Sequence, residues 1–337
     1  MRKIVNNDLM AKIEKAGLVG RGGAEYPTAK KWQEVGQAPG EKKYVVCNAS
    51  EGEIGLFKDI YILKNYPDLV VKAMVLALDH LGAKDAFFNI NKKYFKMVGA
   101  KLMPIIKKYN RKGYNLKIFV EEPSYIGGEE TALLNAIQGK RTEPRLKPPY
   151  PSLAGLYGSP TLIHNVETLY NIACVANGAY EHKRFYCISK SGKKIGVYHL
   201  PDNWDIEKVL RETKNYPTYS FFVQVGGSAS GIVFDGSQIK GKLASGAASL
   251  DVHSKKEDPK KILLRWLEFY QKESCGKCTP CRVGTFELYE MVKKSKAIPW
   301  KKMFEILETM DATSFCALGR SVSVPIRSYY LNVLKKQ

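Results

Sequence analysis

The sequence is poor in cysteine, has no long apolar run and carries too few acidic residues to balance its basic ones. It has seven cysteines in 337 residues. Residues 1–7 contain no apolar stretch that could act as an export signal, so a disulfide framework is not expected. No window approaches the roughly 20 apolar residues that a membrane-spanning helix needs. These absences predict a cytoplasmic chain without a membrane span, either free or peripheral to a membrane complex.

The shortage of acidic residues leaves a strongly basic chain. The 33 Asp and Glu residues face 53 Lys and Arg residues, for a net charge of +20. Residues 92–117 alone contain nine basic residues and no acidic one. Because no recognisable nucleic-acid-binding motif accompanies this charge, it indicates solvated faces or a docking surface for an acidic redox partner. Nucleic acid is therefore not an expected partner.

Four of the cysteines share the spacing of a cluster site: Cys275, Cys278, Cys281 and, 35 positions later, Cys316. Such a triplet can converge on one corner of a metal centre while the fourth thiol arrives from elsewhere, which is typical of a [4Fe–4S] cluster. Zinc sites usually come as two short pairs, so a Cys₄ zinc site is the less favoured alternative. A Cys₄ zinc site would correspond to an alternative function, that of a basic, zinc-binding nucleic-acid protein. The remaining thiols are predicted to lie in the core: Cys47, Cys174 and Cys187.

A glycine-rich loop at residues 17–23 is followed by basic residues. Glycines let backbone N–H groups approach a phosphate or a flat ring closely, and Arg21 and Lys30 can supply positive charge. The loop is neither a Walker A sequence nor the G-x-G-x-x-G dinucleotide fingerprint. Taken alone, it is weak evidence for a binding site.

The first half of the chain alternates between strand and helix patterns. Residues 44–47, 85–90 and 115–120 have the composition of strands, whereas the segment after Pro67 and residues 94–109 have helical patterns. This alternation predicts a parallel sheet flanked by helices. The polar loop directly after residues 44–47 lies where such sheets place ligands.

The second half divides into a mixed and a helical part. Short strands are predicted at 184–189, 194–199 and 219–225 around a helix at 205–213, which indicates a small α+β domain. Helices are predicted at 262–272, 283–293, 300–310 and 323–334, with the cysteine triplet between the first two. The expected domains are 1–180, 181–250 and 251–337, the last a helical bundle that holds the cluster.

Together these stretches resemble the flavin-bearing, NADH-oxidising subunit of respiratory complex I, whose family also occurs in NAD-linked hydrogenases and formate dehydrogenases. The matching motifs follow in the family's order: Gly-Arg-Gly-Gly-Ala at 20–24, Cys-Asn-Ala at 47–49 with Glu-Gly-Glu at 51–53, Phe-Lys-Asp at 57–59, Gly-Glu-Glu-Thr-Ala-Leu-Leu at 128–134, Pro-Arg-Leu-Lys-Pro-Pro at 144–149, Asn-Val-Glu-Thr-Leu at 165–169 and Cys-Ala-Leu-Gly at 316–319.

The resemblance implies a Rossmann-like α/β domain that binds FMN, a ubiquitin-like α+β domain and a helical domain with one [4Fe–4S] cluster. It implies that FMN lies against these residues: Gly20, Arg21, Gly22, Gly23, Lys30, Asn48, Ser50, Glu51, Tyr125, Gly128, Glu129, His164, Asn165 and Thr168. It also implies NAD(H) or NADP(H) as substrate near Tyr26, Glu53, Glu130, Lys147 and Tyr150, with Glu53 and Tyr26 as the catalytic residues.

Several positions depart from the family pattern: Glu25-Tyr26 for Gly-Phe, Ser50 for Asp, Gly127 for Cys, Tyr150 for Phe and His164 for Asn. Glu25 adds a carboxylate beside the expected nicotinamide site, and Ser50 removes a hydrogen-bond acceptor near the flavin. The carboxylates near the nucleotide repel the extra phosphate of NADPH, so a modest preference for NADH is predicted.

The resemblance implies a diaphorase-type NAD(P)H dehydrogenase subunit. Such a subunit exchanges hydride between the nicotinamide and FMN and passes single electrons through one [4Fe–4S] cluster to or from a partner subunit. The family's longer N-terminal extension and an appended ferredoxin-like or thioredoxin-like domain are not found in this sequence, so the expected partners are separate iron–sulfur subunits. The alternative is a paralogue without nucleotide chemistry that acts as an electron relay or scaffold.

Overall fold

The computed structural model describes residues 2–189, 194–244 and 246–335. Residues 1, 190–193, 245 and 336–337 of the expected domains lie outside the described residues. The chain forms two compact units: Met1–Gly52 with Phe57–Lys183, and Glu53–Leu56 with Arg184–Gln337. The expected boundary between the middle and helical domains stays a prediction.

The first unit is a parallel sheet with helices. Its strands are β1 (Tyr44–Ala49), β2 (Asp85–Asn91), β3 (Asn115–Glu121) and β4 (Thr161–Asn165). Its helices are α1 (Arg2–Lys15), α2 (Thr28–Gln37), α3 (Lys58–Asn65), α4 (Pro67–Leu81), α5 (Lys92–Asn110), α6 (Glu130–Ile137), α7 (Pro151–Ala154) and α8 (Val166–Ala176). The predicted strands and helices of this half are confirmed to within a few residues.

Helix α4 illustrates how local sequence fixes an element. Pro67 occupies its first turn, where the missing N–H is not needed, and Gly82 ends it in the left-handed conformation. The buried Val71, Val75 and Leu78 lie on one face, as the helical spacing predicted. The helix therefore begins and ends where proline and glycine allow.

The order of strands in the first sheet is β3-β2-β1-β4, and β1 pairs in parallel with both β2 and β4. The chain leaves β1 toward β2 and β3 and later returns to its other side at β4. This reversal makes the carboxyl edge of β1 and β4 the switch point at which open α/β sheets bind ligands. In the register, Asn48 of β1 is the partner of Asn165 of β4.

The second unit combines a mixed sheet with helices. The strand order is β6-β5-β9-β7-β8, where the strands are β5 (Lys183–Ser189), β6 (Gly196–Pro201), β7 (Phe221–Val225), β8 (Ile232–Asp235) and β9 (Ser249–Ser254). The helices are α9 (Ile206–Glu212), α10 (Pro259–Glu273), α11 (Thr279–Lys294), α12 (Trp300–Thr313), α13 (Ala317–Ser321) and α14 (Ser323–Tyr329), followed by a π turn at Tyr330–Leu334.

The sheet and the helices of the second unit share a core. Side chains of α9 such as Val209 pack with Val223 and Leu250 of the sheet. Trp266 of α10 is fully buried, and its Nε1 donates to Gln224 Oε1 at 3.1 Å and to the Ser228 carbonyl at 3.0 Å. This indole ties the helical segment to strand β7.

Four details differ from the sequence predictions. Several regular elements were not predicted from the sequence: strands β4, β8 and β9 and helices α1, α2, α3, α6, α7, α8 and α13. Helix α11 begins at Thr279 rather than at residue 283, because Pro280 fits the first turn of a helix. Cys281 therefore lies inside the helix and not in the preceding loop. The last helix is not continuous over 323–334 but changes to a π turn after Tyr329.

Among the described residues, no helix has both the length and the apolar character needed to cross a membrane.

Candidate functional site

The glycine-rich loop lies directly on the start of α8. The Arg21 backbone N–H donates to Thr168 Oγ1 at 2.8 Å. A Cβ added to Gly22 would stand 3.1 Å from the Cβ of Asn165, which is tighter than ordinary contact. Gly23 has a φ of +117°, a conformation that favours glycine. The loop thus keeps its backbone against two of the residues that the sequence predicted for the same cofactor.

The end of β1 contacts the short 3₁₀ turn at Ile126–Gly128. Asn48 Nδ2 donates to the Gly128 carbonyl at 2.9 Å, and Ser50 Oγ donates to the Gly127 carbonyl at 3.3 Å. Tyr125 lies at the start of this turn, where its carbonyl accepts from the Gly128 N–H at 3.0 Å. Residues predicted from separate motifs are therefore brought together at the carboxyl edge of β1 and β4.

A buried cation, Lys58, connects these segments, and the sequence analysis did not include it among the site residues. Its side chain is only 2% exposed. Its Nζ lies 2.7 Å from Asp59 Oδ1, 3.1 Å from Glu167 Oε2 and 3.1 Å from Asn165 Oδ1. The contacts with Asp59 and Asn165 are hydrogen bonds, and the contact with Glu167 is an ion pair. The Phe-Lys-Asp motif was the available sign of this role, but the sequence does not reveal that its lysine is buried.

The Lys58 group fixes the side chain of Asn165 at both ends. Asn165 Nδ2 donates to Asp59 Oδ2 at 2.6 Å. Asn165 Oδ1 accepts from Lys58 and also caps α8 by accepting from the Glu167 N–H at 3.0 Å. A side-chain amide held in this way has one orientation. The buried charges therefore position a residue predicted to contact the flavin.

Glu51 joins the same network at the start of α3. Its carboxylate accepts from the Asp59 N–H at 2.9 Å and from the Tyr94 hydroxyl at 2.7 Å. Burial, followed by the charge of Asp59, raises the pKa of Glu51 to about 8. Burial opposes the charge on Lys58, but the surrounding carboxylates offset this and raise its pKa above the ordinary value. Burial thus favours the protonated form of Glu51, whereas the neighbouring carboxylates favour the charged form of Lys58.

A second charged group lies at the start of α6. Glu129 caps this helix, because its carboxylate accepts from the N–H groups of Thr131 and Ala132 at 3.0 and 2.9 Å. Lys147 Nζ lies 2.9 Å from Glu129 Oε1 and 3.3 Å from Glu130 Oε1. Partial burial opposes the charge of Lys147, yet its bonds to Glu129 and Glu130 raise its pKa. Glu129, Glu130 and Lys147, predicted at the flavin and the nucleotide, form one compact ion group.

Tyr26 is suited to contact rather than proton transfer. Its ring is partly exposed, and Lys30 Nζ lies 5.7 Å from the ring centroid. Its hydroxyl donates to Glu34, and this bond, with burial, raises the pKa of Tyr26 to about 12. Tyr150 is 56% exposed. Both rings therefore present accessible faces, and neutral Tyr26 keeps its proton.

Two predicted site residues have partners elsewhere in the fold. His164 is buried on β4, where its Nε2 accepts from Trp32 Nε1 at 2.8 Å. Glu53 belongs to the second unit, where its carboxylate accepts from the Ala229 N–H at 3.1 Å and from the Ser230 hydroxyl. Their roles at the cofactor and in catalysis stay predictions.

The cysteines of the predicted cluster lie together in the second unit. Cys278 precedes the first residue of α11, Cys281 lies in its first turn, and Cys316 precedes α13. Burial raises the pKa of the Cys281 thiol to about 11, and the nearby thiols of Cys278, Cys316 and Cys275 add to this shift. The other three thiols are thus close enough to Cys281 to influence its charge.

The surrounding backbone fits close approach of these segments. A Cβ on Gly319 would stand 3.0 Å from the Cβ of Cys281, and one on Gly284 would overlap Met310 of α12. The Phe315 N–H donates to Cys278 Sγ at 3.5 Å. Within the described residues, no three His, Cys, Asp or Glu side chains form a site for a metal ion. The assignment of the four thiols to one iron–sulfur cluster therefore depends on their number, chemistry and spacing in the sequence, and not on a metal site formed by their side chains.

Two family models match separate parts of the chain. A family model described as the Nuo51 FMN-binding domain matches residues 13–174. A second model, described as the NADH-ubiquinone oxidoreductase-F iron-sulfur binding region, matches residues 261–333. The first range contains the predicted flavin residues, and the second contains all four predicted cluster cysteines.

Individual proteins match over most of the chain. The NADH-quinone oxidoreductase F subunit of Aquifex aeolicus (strain VF5) is 33% identical over 342 residues, which cover 91% of this chain and 80% of that protein. The F 2 form from Rhizobium meliloti (strain 1021) is 31% identical, with 96% and 86% covered. In the crystal structure of an NAD⁺-reducing [NiFe]-hydrogenase in the H₂-reduced state, one chain is similar with a TM-score of 0.90 at 28% identity.

That match covers 98% of this chain and 62% of the hydrogenase chain, so the present chain spans less than two thirds of it. Motif order, sheet topology and both family models agree on one family. This chain belongs to the F-subunit family of the NADH-quinone oxidoreductases.

Proposed function

We propose that this chain is the NADH-oxidising, FMN-bearing subunit of a multisubunit oxidoreductase. One observation carries the proposal: the glycine loop, the end of β1, the 3₁₀ turn and the start of α8 meet at the switch point of the sheet, where Arg21 bonds Thr168 and Asn48 bonds Gly128. Segments far apart in sequence supply hydrogen-bonding groups to one edge. Such convergence is typical of a ligand site in an open α/β sheet.

The chemistry that bound FMN supplies is hydride exchange with a nicotinamide and the release of single electrons. The residues proposed to hold it are the loop at 20–23, Asn48, Ser50, Gly128 and Asn165. The backbone N–H groups of the loop and Lys30 are suited to its phosphate. The Lys58 network holds the Asn165 amide in one orientation.

The nucleotide is proposed to lie near Tyr26, Glu130, Lys147 and Tyr150, with NADH preferred over NADPH. Carboxylates accept hydrogen bonds from ribose hydroxyls and repel a 2′-phosphate. Lys147 and Lys31 lie 3.3 and 3.6 Å from Glu130 and offset part of that repulsion. The preference is therefore expected to be modest. Glu53 is retained as a proposed catalytic residue.

The cluster is proposed to be held by the four cysteines: Cys275, Cys278, Cys281 and Cys316. We further propose that the second unit consists of a ubiquitin-like segment followed by the cluster-bearing helices, and that the protein works in the cytoplasm. The partners are proposed to be separate iron–sulfur subunits, as in the assemblies to which the family belongs.

The test is to purify the chain anaerobically, identify the released flavin by mass and measure NADH-dependent reduction of ferricyanide. FMN and NADH activity are expected. FAD, or no flavin after reconstitution, would contradict the proposed cofactor. FMN without any NADH or NADPH activity would favour the relay or scaffold alternative.

A matched pair of glycine variants tests the location. Gly22→Ala places a Cβ 3.1 Å from Asn165 and is expected to weaken FMN retention. Gly36→Ala meets its nearest atom at 3.8 Å and should keep FMN. Equal FMN content in both variants would place the flavin elsewhere.

A further inference from the structure

A buried carboxyl group, Glu121, lies at the end of strand β3 and has no part in the site described above. Only 8% of the residue is exposed. In the register of the sheet it is the partner of Asn91 on β2. Burial raises the pKa of Glu121, and its hydrogen bonds with Ser50 and Asn89 act in the opposite direction. The carboxyl group is therefore removed from water and held by neutral hydrogen-bond partners.

Asn89 of β2 connects this carboxyl group to the end of β1. The fully buried Asn89 donates from Nδ2 to Ser50 Oγ at 2.9 Å and to Glu121 Oε1 at 3.0 Å. Its Oδ1 finds no hydrogen-bond partner in residues 2–189, 194–244 and 246–335. A buried acceptor without a donor costs free energy, so the orientation of this amide is explained by the two bonds that its N–H groups make.

Glu121 also lies against the 3₁₀ turn that presents Gly128. A Cβ added to Gly127 would stand 2.9 Å from Glu121 Oε2, which is closer than real Cβ contacts. The carbonyl of Gly127 accepts from the Ser50 hydroxyl at 3.3 Å. The carboxyl group of β3 thus contacts both the turn and, through Asn89, the serine, and only glycine leaves room for it at position 127.

The two positions that Glu121 serves are positions at which the sequence departs from the family pattern. Ser50 replaces an aspartate and Gly127 replaces a cysteine. A cysteine at 127 would overlap the Glu121 carboxyl group. An aspartate at 50 would bring a second carboxylate to the amide of Asn89, and two carboxylates in one buried site disfavour each other's charge. The two departures and Glu121 therefore form one matched set.

We propose that Glu121 is a positioning residue for the flavin, which acts through Asn89 on the Ser50 hydroxyl and replaces the carboxyl group that this chain lacks at position 50. Ser50, Asn89 and Glu121 are here termed the carboxyl bridge. The bridge also fixes the turn at Gly127. This inference rests on the proposed function, because it adds a third strand, β3, to the support of the proposed FMN site.

The test measures the affinity of the complete, flavin-depleted chain for FMN by fluorescence titration. Glu121→Ala leaves an N–H of Asn89 without its acceptor and is expected to weaken FMN binding about tenfold. Glu121→Gln keeps an acceptor oxygen for that N–H, so its affinity should stay within about threefold of wild type.

The neighbouring carboxylate provides a matched control. Glu122 is 77% exposed, and its ion pair with Lys92 is exposed at both partners. Glu122→Ala should therefore keep the FMN affinity within about twofold. The free energy of unfolding is measured for each variant, so that a general loss of stability is distinguished from a loss confined to the flavin site.

The coupling of positions 50 and 121 is the sharper test. Ser50→Asp in the wild-type background places two carboxylates on one amide and is expected to weaken FMN binding about tenfold. In the Glu121→Ala background, Ser50→Asp supplies the missing acceptor and should restore the affinity to within about threefold of wild type. If Glu121→Ala does not fold, Ser50→Asp is compared in the Glu121→Gln background, where it should weaken binding less than in wild type.

The outcomes separate this inference from the proposed function. A wild-type chain that does not bind FMN contradicts the proposed function and the carboxyl bridge together. A wild-type chain that binds FMN, with equal affinity in Glu121→Ala and Glu122→Ala, contradicts only the carboxyl bridge. Additive losses for Ser50→Asp and Glu121→Ala overturn it as well, because independent structural damage adds whereas a shared carboxyl role does not.

Discussion

The flavin region of the first unit and the cysteine region of the second differ in whether their charged side chains are buried or exposed. In the first, Lys58 and Glu167 are almost completely buried and paired with each other. In the second, Lys277 and Arg282 are exposed beside partly exposed thiols. Buried, mutually satisfied charges hold neighbouring side chains rigidly, whereas exposed charges attract a partner. The contrast fits a first region that orients its proposed cofactor and a second region whose proposed cluster ligands are accessible from solvent.

The largest expected effect removes the cluster and leaves the flavin region intact. Cys278→Ala should abolish the iron–sulfur absorption or convert the cluster, because one of four thiolate ligands is lost. Iron content and the visible spectrum measure this. Cys174→Ala, at a buried thiol of the first unit, should keep the full iron content. Full zinc content without iron in anaerobically prepared wild-type protein would contradict the cluster itself.

The next effect tests whether the buried charges are structural. Lys58→Met leaves Asp59 and Glu167 without their cation, and loss of one member of a buried ion pair costs about 3–5 kcal/mol. We expect a lower free energy of unfolding and loss of FMN.

Lys92→Met is the matched control, because its ion pair with Glu122 is exposed at both partners. It should change stability by about 0–1 kcal/mol. Similar losses in both variants would mean that burial does not distinguish the two regions.

The titration of Glu51 provides a smaller, pH-dependent effect. Its pKa in the folded chain is about 8, against an ordinary value of 4.5. The folded state therefore binds the proton more tightly than the unfolded state. This contribution to stability is fully present below the unfolded pKa and is lost as the pH rises through about 8.

Between these values, the free energy of unfolding should fall with rising pH by at most about 1.4 kcal/mol per pH unit from this group. Glu51→Gln should flatten the slope in denaturant titrations over that window. An unchanged slope would show that another group holds the proton.

The smallest effect concerns the nucleotide. Two like charges about 5 Å apart repel by about 3 kcal/mol at an effective dielectric of 20, but Lys147 and Lys31 offset part of this at Glu130. Glu130→Ala is therefore expected to improve NADPH use relative to NADH by only about threefold to fivefold. Steady-state dye reduction with both nucleotides measures the ratio. A wild-type preference for NADPH of about tenfold or more would mean that these carboxylates lie away from the 2′-position.

The sequence predicted those parts of the molecule that depend on local pattern. Strand β1 and helix α4 could be predicted, because hydrophobic periodicity, proline and glycine determine them locally. The cysteine spacing could be read directly from the sequence. Strand β4 and helix α8 escaped because Pro160 and the surrounding glycines obscured a short buried strand. Asn165, the last residue of β4 and the N-cap of α8, was nevertheless identified through its motif.

Burial was the property that the sequence did not reveal. Lys30 was predicted to contact FMN and Lys58 belongs to a matching motif, but only Lys58 is buried. Two of its partners, Asn165 and Glu167, are 107 and 109 positions away. Long-range ion pairs leave no local periodicity. The same limit applies to Glu53, whose partners in the second unit lie more than 170 positions away.

The most direct test of the central claim is an anaerobic titration of the complete chain with NADH, followed by visible absorption and electron paramagnetic resonance. The account predicts that the flavin absorption bleaches and that the resonance of a reduced [4Fe–4S] cluster appears in the same sample. In Cys278→Ala, the flavin should still bleach and the resonance should be absent. A wild-type flavin that stays oxidised with excess NADH, or a cluster that stays oxidised beside a bleached flavin, would contradict the account.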